Sequence, residues 1–349
     1  MRRAAASRKS RQLAGTSRIR DKGARSMVAR VHIVDDRGYR ETADLGEITG
    51  LVGRENVTLW LDADERTPEL EKCLLEVLCI HPLVGEDIFS DRLTPKVEDF
   101  GDFLYIVMHG VRRDAEDPEH LGTLEIDIVI GPNWVFTHHG GSMRSIESVA
   151  AELKRNPRLL QKGPAYLAHG VIDHLTDHYL PVVDKFEDEI DDVEKHVVTD
   201  PNPELLQTLF ALKRSLQRLR RLSVYQRDIL ARLSRGEFER IPQRALPFFR
   251  DVYDHFVRIS DLADSYRELV GAALEIYMSV TANRANEIMK SLALVSAMML
   301  PLNFITGMYG MNFDHIPGLH KLWGLPIAIG IMVVIAAWIF VHFRRKKWL

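Results

Sequence analysis

Cysteine is scarce in this chain, which has only Cys73 and Cys79 among 349 residues. Both fall in an apolar helical pattern, so we expect buried free thiols rather than a disulfide framework or a thiolate metal site. The sequence also lacks the HExxH, P-loop and GxSxG motifs of common enzyme active sites. We therefore expect a protein of a reducing compartment that is not an enzyme.

A strong charge of one sign is also missing, since the formal net charge is −3. This gives no reason to expect a nucleic acid partner, and no motif indicates a small-molecule substrate. The first thirty residues are locally basic, with ten Lys or Arg and one acid, Asp21, but they lack the apolar core of a secretory signal. We expect residues 1–27 to form a basic, disordered tail. A mitochondrial transit sequence, or residues upstream of a start at Met27, are the alternatives.

Two long apolar runs lie near the C-terminus. Residues 292–309 and 322–343 contain no Asp, Glu, Lys or Arg. At about 1.5 Å per helical residue, each run reaches roughly the 30 Å thickness of the hydrocarbon layer, so we expect two transmembrane helices. The four basic residues that follow should form a cytoplasmic basic ring by the positive-inside rule, and both termini are then cytoplasmic: Arg344, Arg345, Lys346 and Lys347.

The region before these runs divides into a mixed part and a helical part. Strand-like segments occur at 29–35, 57–62, 103–111, 124–130 and 134–137, and Thr67-Pro68-Glu69 begins a helix toward Ile80. Later segments at 143–156, 164–198, 203–235 and 244–309 indicate helices. We expect an α+β cytoplasmic domain with a mixed sheet at 28–160 and an antiparallel helical hairpin at 161–243. A stalk helix at 244–309 then continues into the first span, followed by an outer loop at 310–321, the second span at 322–343 and a basic end at 344–349.

Apolar residues on the stalk follow an alternating spacing of four and three from Val252 to Val280, typical of a helix that packs along other helices. The partners are either stalks of identical subunits or helices of the same chain. An acidic segment at 184–194 precedes a basic one at 213–221, which indicates either an attractive hairpin or a cation-attracting face. His174 and His178 have a spacing that permits metal ligation, although a structural role fits as well.

The segment 301–313 ends the first apolar run and contains Gly310-Met311-Asn312. In this two-span layout after a long helix, the tripeptide resembles the signature of the CorA family of magnesium and divalent cation transporters. The resemblance continues upstream at 81–88, 92–97 and 249–255 and covers nearly all of 28–349. It implies a homopentamer of four further identical subunits in a lipid bilayer, with a cytoplasmic funnel. A bacterial inner membrane is the expected location.

The resemblance also implies site residues. Gly310, Met311 and Asn312 would form the selectivity filter, where Asn312 carbonyls meet a largely hydrated Mg²⁺. Asp87 and Asp251 would bind regulatory Mg²⁺ between subunits, and Asp314 would supply charge at the pore mouth. The residues of the pore lining and gate would be the following, which are spaced three or four residues apart along one helix face: Asn286, Met289, Leu292, Ser296, Leu300, Asn303 and Gly307.

The expected function is passive influx of Mg²⁺ through a pore gated by intracellular Mg²⁺, with Co²⁺ and Ni²⁺ as candidate further ions. A zinc transporter of the ZntB type shares this architecture, but Met311 favours magnesium. A membrane-anchored interaction protein is the alternative from another class, and the polar residues Asn303 and Asn312 within or beside the apolar runs argue against it.

Overall fold

A computed structural model describes residues 29–90, 94–113, 121–157, 162–311 and 323–346. The expected tail at 1–27, Asn312, Asp314, Lys347 and most of the outer loop lie outside the described residues. The chain divides into two compact units. The first runs to Ile190 and includes Ala211–Glu268, and the second comprises Asp191–Phe210 and the chain from Leu269 onward.

The first unit contains a seven-stranded mixed sheet in the order β2-β1-β3-β7-β6-β5-β4 among the described residues. Only β3 and β7 pair in parallel. The strands are β1 (Arg30–Asp35), β2 (Gly38–Thr42), β3 (Thr58–Ala63), β4 (Lys96–Asp99), β5 (Leu104–Arg113), β6 (Leu121–Ile130) and β7 (Trp134–His139). The five strands expected from the sequence are present. The two that the sequence did not indicate, β2 and β4, are short, polar edge strands without an apolar run.

The helix expected from Thr67 begins where predicted, because the Thr67 hydroxyl accepts a hydrogen bond from the Leu70 amide. The α-helix α1 (Pro68–Lys72) continues as a π-helical turn over Cys73–Val77. Cys73 is buried against the sheet, as expected, but Cys79 is exposed, so that part of the cysteine prediction is wrong. The physical reason is that the helix ends before Cys79, whose positive φ of 53° turns the chain outward.

The remaining helices are α2 (Pro82–Ile88), α3 (Arg144–Arg155), α4 (Pro164–Asp177), α5 (Leu180–Thr199), α6 (Pro203–Ser234), α7 (Leu246–Tyr309) and α8 (Gly324–Arg345). The helix expected over 164–198 is therefore two helices. The break falls at Tyr179, whose side chain is fully buried and whose hydroxyl donates to the sheet backbone. With 64 residues, α7 is about 96 Å long.

The apolar stripe on α7 is buried within the single chain. Of its nine members, only Val280 is partly exposed. Within the first unit, Phe256 packs on Tyr179, and Tyr266 donates to Glu187 of α5. The chain's own helices therefore fill this seam, so stalks of neighbouring subunits do not use it.

Two arginines of the basic segment on α6 are directed away from the acids of α5. Arg220 pairs with Asp264 of α7, and Arg218 donates to Thr123 of β6 at 3.1 Å. These two side chains therefore do not hold α5 and α6 together by charge attraction. They attach α6 to α7 and to the sheet instead.

Candidate ion pathway and cytoplasmic metal site

Two helices in the described part of the chain are long and apolar enough to cross a membrane, α7 in its C-terminal part and α8. None of the most apolar stretch of α7 is buried in the structure, although its residues are those that a soluble protein would place in its core. This exposure fits a helix whose surroundings are lipid and further copies of the chain.

The less exposed residues of the apolar part of α7 lie on one face. Along the helix they follow the three- and four-residue spacing of a single face: Leu294, Ala297, Met298, Pro301, Leu302, Ile305 and Tyr309. On α8 a similar face begins with Gly324 and Ala328, which are buried, and continues through Met332 and Ile335. These two stripes are the faces that the second unit itself covers.

The expected pore-lining residues lie on the other side of α7. All seven, from Asn286 to Gly307, are exposed, and Leu300 reaches 76% exposure. At about 100° per residue, the centre of this face is roughly opposite the covered face. A polar side chain such as Asn303 in an apolar span needs water or another polar group, which this open side can provide in an assembly.

The apolar helix α7 ends in a tight turn at Gly310. Its amide donates to the carbonyl of Thr306 at 2.9 Å and also approaches that of Gly307 at 3.2 Å. A Cβ at Gly310 would lie 3.2 Å from the Thr306 carbonyl oxygen, so a side chain would crowd the turn. Met311 is exposed directly after it, while Asn312 lies outside the described residues.

The C-terminal end of α8 is basic. Arg344 and Arg345 form its last turn, Lys346 is its C-cap, and all three are exposed. Positive charge at this end complements the helix dipole and suits an interface with lipid head groups.

In the first unit, Asp87 lies in the last turn of α2. Pro82 starts this helix, and His81 Nδ1 accepts from the Leu83 amide as its N-cap. The Asp87 carboxylate lies 3.0 Å from Lys96 Nζ, which also bonds to Glu98 at 2.7 Å. Within one chain, Asp87 is therefore part of an ion-pair network at the β4 edge of the sheet.

Asp251, near the start of α7, belongs to a different group. Its carboxylate, that of Asp173 on α4 and a nitrogen of His255 all lie within 4.8 Å of one another, close enough to hold one metal ion. Among the described residues, the groups with this geometry do not include Asp87. The structure does not bring Asp87 and Asp251 together around one ion within a single chain.

The surroundings of this group also suit a metal. Burial lowers the pKa of His169, which stays neutral and able to offer a lone pair. Burial raises the pKa of Asp173, so a bound cation there would have to compensate the cost of the buried carboxylate charge. Buried nitrogens of His169, His174 and His255 have no hydrogen-bond partner among the described residues. A second group joins Asp173, His174 and Asp177.

Asp173 and His255 were not predicted as partners of Asp251, because α4 and α7 are far apart in the chain and only packing joins them. Among the described residues, the candidate group that contains His174 does not include His178, whose Nδ1 lies 2.5 Å from the His174 carbonyl oxygen.

Comparison with known proteins gives a consistent family. A family model described as CorA-like Mg2+ transporter protein matches residues 55–345. The cobalt/magnesium transport protein CorA of Thermotoga maritima is 36% identical over 275 residues, which is 78% of each chain.

Solved structures share the fold. The complete structure of the CorA magnesium transporter from Methanocaldococcus jannaschii matches with a TM-score of 0.79 at 22% identity, over 93% of this chain and 100% of that one. The ZntB cytoplasmic domain from Vibrio parahaemolyticus matches with a TM-score of 0.57 at 17% identity, over 74% and 100%.

These matches confirm the predicted fold class, a mixed sheet with flanking helices followed by a very long helix and a second apolar helix. They also confirm that the chain is not an enzyme, because the family consists of membrane transporters. As residues 301–313 predicted, the chain belongs to the CorA family of divalent cation transporters.

Proposed function

We propose that this protein is a homopentameric channel for passive Mg²⁺ influx, with Co²⁺ and Ni²⁺ as candidate further ions. The observation that carries the proposal is the exposed face of α7 from Asn286 to Gly307, which lies roughly opposite the face that the chain itself covers. Two spans cannot enclose an aqueous path, so several copies must contribute this face. The number of five comes from the family resemblance.

The selectivity filter is the tripeptide Gly310-Met311-Asn312, with Asp314 as pore-mouth charge. Mg²⁺ loses its water slowly, so neutral carbonyl oxygens that bind the hydrated ion suit rapid passage better than a carboxylate trap. The described residues support this role through the tight turn at Gly310, which orients the chain that follows.

The gate is formed by Met289 and Leu292. Both are more than 60% exposed in the single chain, at 61% and 65%, and both lie on the pore face. Rings of such apolar side chains close a narrow pore by excluding water.

Intracellular Mg²⁺ keeps the channel closed by binding at the cytoplasmic acids. Asp251 offers a carboxylate beside Asp173 and His255. The family resemblance adds Asp87 of a neighbouring subunit to this site. When the ion leaves, the carboxylates repel one another and the interface between subunits loosens. Both termini face the cytoplasm, with the basic ring at 344–347 on the inner side of a bacterial inner membrane.

The test is uptake into liposomes that contain a Mg²⁺-sensitive dye, with the full chain reconstituted. Wild type is compared with Asn312→Ala and with Asn283→Ala, an exposed asparagine on α7 outside the pore face. We expect Mg²⁺ uptake by wild type and by Asn283→Ala, and a loss of uptake or of selectivity in Asn312→Ala.

Uptake of Zn²⁺ alone would replace the magnesium assignment with the zinc alternative, whose fold the ZntB match shares. Equal Mg²⁺ uptake by Asn312→Ala and wild type would refute the filter. A folded, oligomeric wild type that passes no divalent cation would refute the channel itself.

A further inference from the structure

The turn between α5 and α6 is held in place from both sides. Asn202 Oδ1 accepts a hydrogen bond from the Leu205 amide at 2.8 Å and so caps α6. The Asp200 amide closes the end of α5 by donating to the His196 carbonyl at 2.8 Å. The caps leave the carbonyl of Thr199 available to other donors, and the Asn202 carbonyl, which accepts from the Leu206 amide at 3.4 Å, has a second lone pair.

Those two carbonyls bind α7. Tyr277 Oη donates to the Asn202 carbonyl at 3.2 Å, and Arg284 Nη2 donates to the Thr199 carbonyl at 3.0 Å. Seven residues are two helical turns, so Tyr277 and Arg284 share one face of α7 about 10 Å apart along its axis. We call these two bonds the hairpin strap.

The Arg284 bond is the shorter of the two and is charge-assisted. It joins a permanently charged guanidinium to the C-terminal end of α5, where the helix dipole carries partial negative charge. Tyr277 is 7% exposed, so its neutral bond is largely shielded from water. Arg284 is exposed, which makes its bond accessible to mutation without disturbing a core.

The strap ends next to the proposed gate. Arg284 precedes Asn286 by two residues and Met289 by five, which is roughly 3 Å and 7.5 Å along the helix. At about 100° per residue, Arg284 points roughly a third of a turn away from the pore face. It therefore does not line the path, but it fixes the helix from which the gate side chains project.

We propose that Arg284 is a positioning residue for transport, which ties the α5–α6 turn to α7 and so restrains the helix directly before Met289. The proposal rests on the channel function proposed above. Without the tie, this part of α7 moves more freely and the apolar rings widen more readily. Ion choice, which depends on the filter at the other end of the helix, stays the same.

The test measures Mg²⁺ uptake by reconstituted full-length protein over a series of internal Mg²⁺ concentrations. The variants are Arg284→Gln, which removes the charge, Arg284→Lys, which keeps a charged donor, and Tyr277→Phe, which removes only the hydroxyl. The matched control is Arg214→Gln, an exposed arginine on α6 for which no bond is identified among the described residues.

We expect Arg284→Gln to raise the internal Mg²⁺ concentration that half-inhibits uptake by about fivefold to tenfold, the low end of typical coupling energies. Arg284→Lys should restore most of the wild-type value, Tyr277→Phe should shift it in the same direction, and Arg214→Gln should leave it unchanged. The ratio of Mg²⁺ to Co²⁺ uptake should not change in any variant.

If Arg284→Gln takes up Mg²⁺ as the wild type does and is half-inhibited at the same internal Mg²⁺ concentration, the positioning role of Arg284 is refuted while the channel function stands. An altered ion ratio would refute that role too, because the residue would then act on the filter. Absence of uptake by wild type would instead refute the channel. If Arg284→Gln fails to assemble, Tyr277→Phe decides the matter by the same criteria.

Discussion

The most direct test of how the helices are fixed to the sheet concerns Tyr179. The edge strand β4 pairs with β5 only from Leu104 to Val107, so the β5 backbone at His109 needs other partners. Helix side chains supply them. Tyr179 Oη donates to the His109 carbonyl at 2.5 Å, and the His109 amide donates to Gln226 Oε1 at 3.0 Å. Gln226 Nε2 completes the triangle by donating to Tyr179 Oη at 2.6 Å.

The size of the effect follows from burial, since Tyr179 and Gln226 are both 0% exposed. Burial raises the pKa of Tyr179, so its hydroxyl stays protonated and donates at every physiological pH. Tyr179→Phe leaves the His109 carbonyl and the Gln226 amide without this partner. Each buried polar group left unsatisfied costs about 1–3 kcal/mol, so two such groups predict a loss of about 2–6 kcal/mol in the free energy of unfolding.

Gln226→Leu should cost a similar amount, because it leaves the His109 amide unsatisfied. The double variant should lose less than the sum, since the two single changes break a shared bond. Ser223→Ala is the control: Ser223 is equally buried on α6, but within the described part of the chain its hydroxyl bonds only to the Leu219 carbonyl of the same helix. We expect that change to cost less than about 1 kcal/mol.

The assay is chemical unfolding of the detergent-solubilised full chain, followed by tryptophan fluorescence, with hydrogen exchange of the peptide 104–113. Faster exchange at His109 should accompany the lost stability. If Tyr179→Phe unfolds at the wild-type denaturant concentration and the exchange is unchanged, the hydrogen bonds among Tyr179, His109 and Gln226 do not hold the helices to the sheet.

Two further predictions concern pH and the filter turn. Burial opposes protonation of His139, but the carboxylate of Asp62, 3.3 Å away, outweighs it and raises the His139 pKa above 6.5. The resulting stability is present below pH 6.5 and is lost as pH rises through the raised pKa, so His139→Gln should flatten the pH dependence of unfolding above pH 6.5. An unchanged slope would exclude His139 as its source. Gly310→Ala should reduce ion uptake, because the new Cβ meets the Thr306 carbonyl at 3.2 Å, whereas Gly271→Ala, with nothing within 4 Å in the chain, should not. Equal uptake by both variants would show that the turn tolerates a side chain.

Local patterns predicted many elements well. The start of α1 at Thr67 and the buried strands β3, β5 and β7 follow from capping and apolar runs, because these signals act within a few residues. The edge strands β2 and β4 carry no such signal and form only because a neighbouring strand offers hydrogen bonds. The break at Tyr179 does have a local signal, Pro181 in the first turn of α5, which was not used as a helix boundary.

The sequence by itself determined the class of the protein, because two uncharged runs of membrane length and Gly310-Met311-Asn312 are local features. Only tertiary structure decided which side chains meet. It placed Asp173 and His255 beside Asp251, filled the α7 seam with the chain's own helices and attached Arg284 to the end of α5. The physical reason is that packing joins residues that are far apart in the sequence. Apolar residues spaced three and four apart identify the buried face of a helix, but they do not tell which element covers that face.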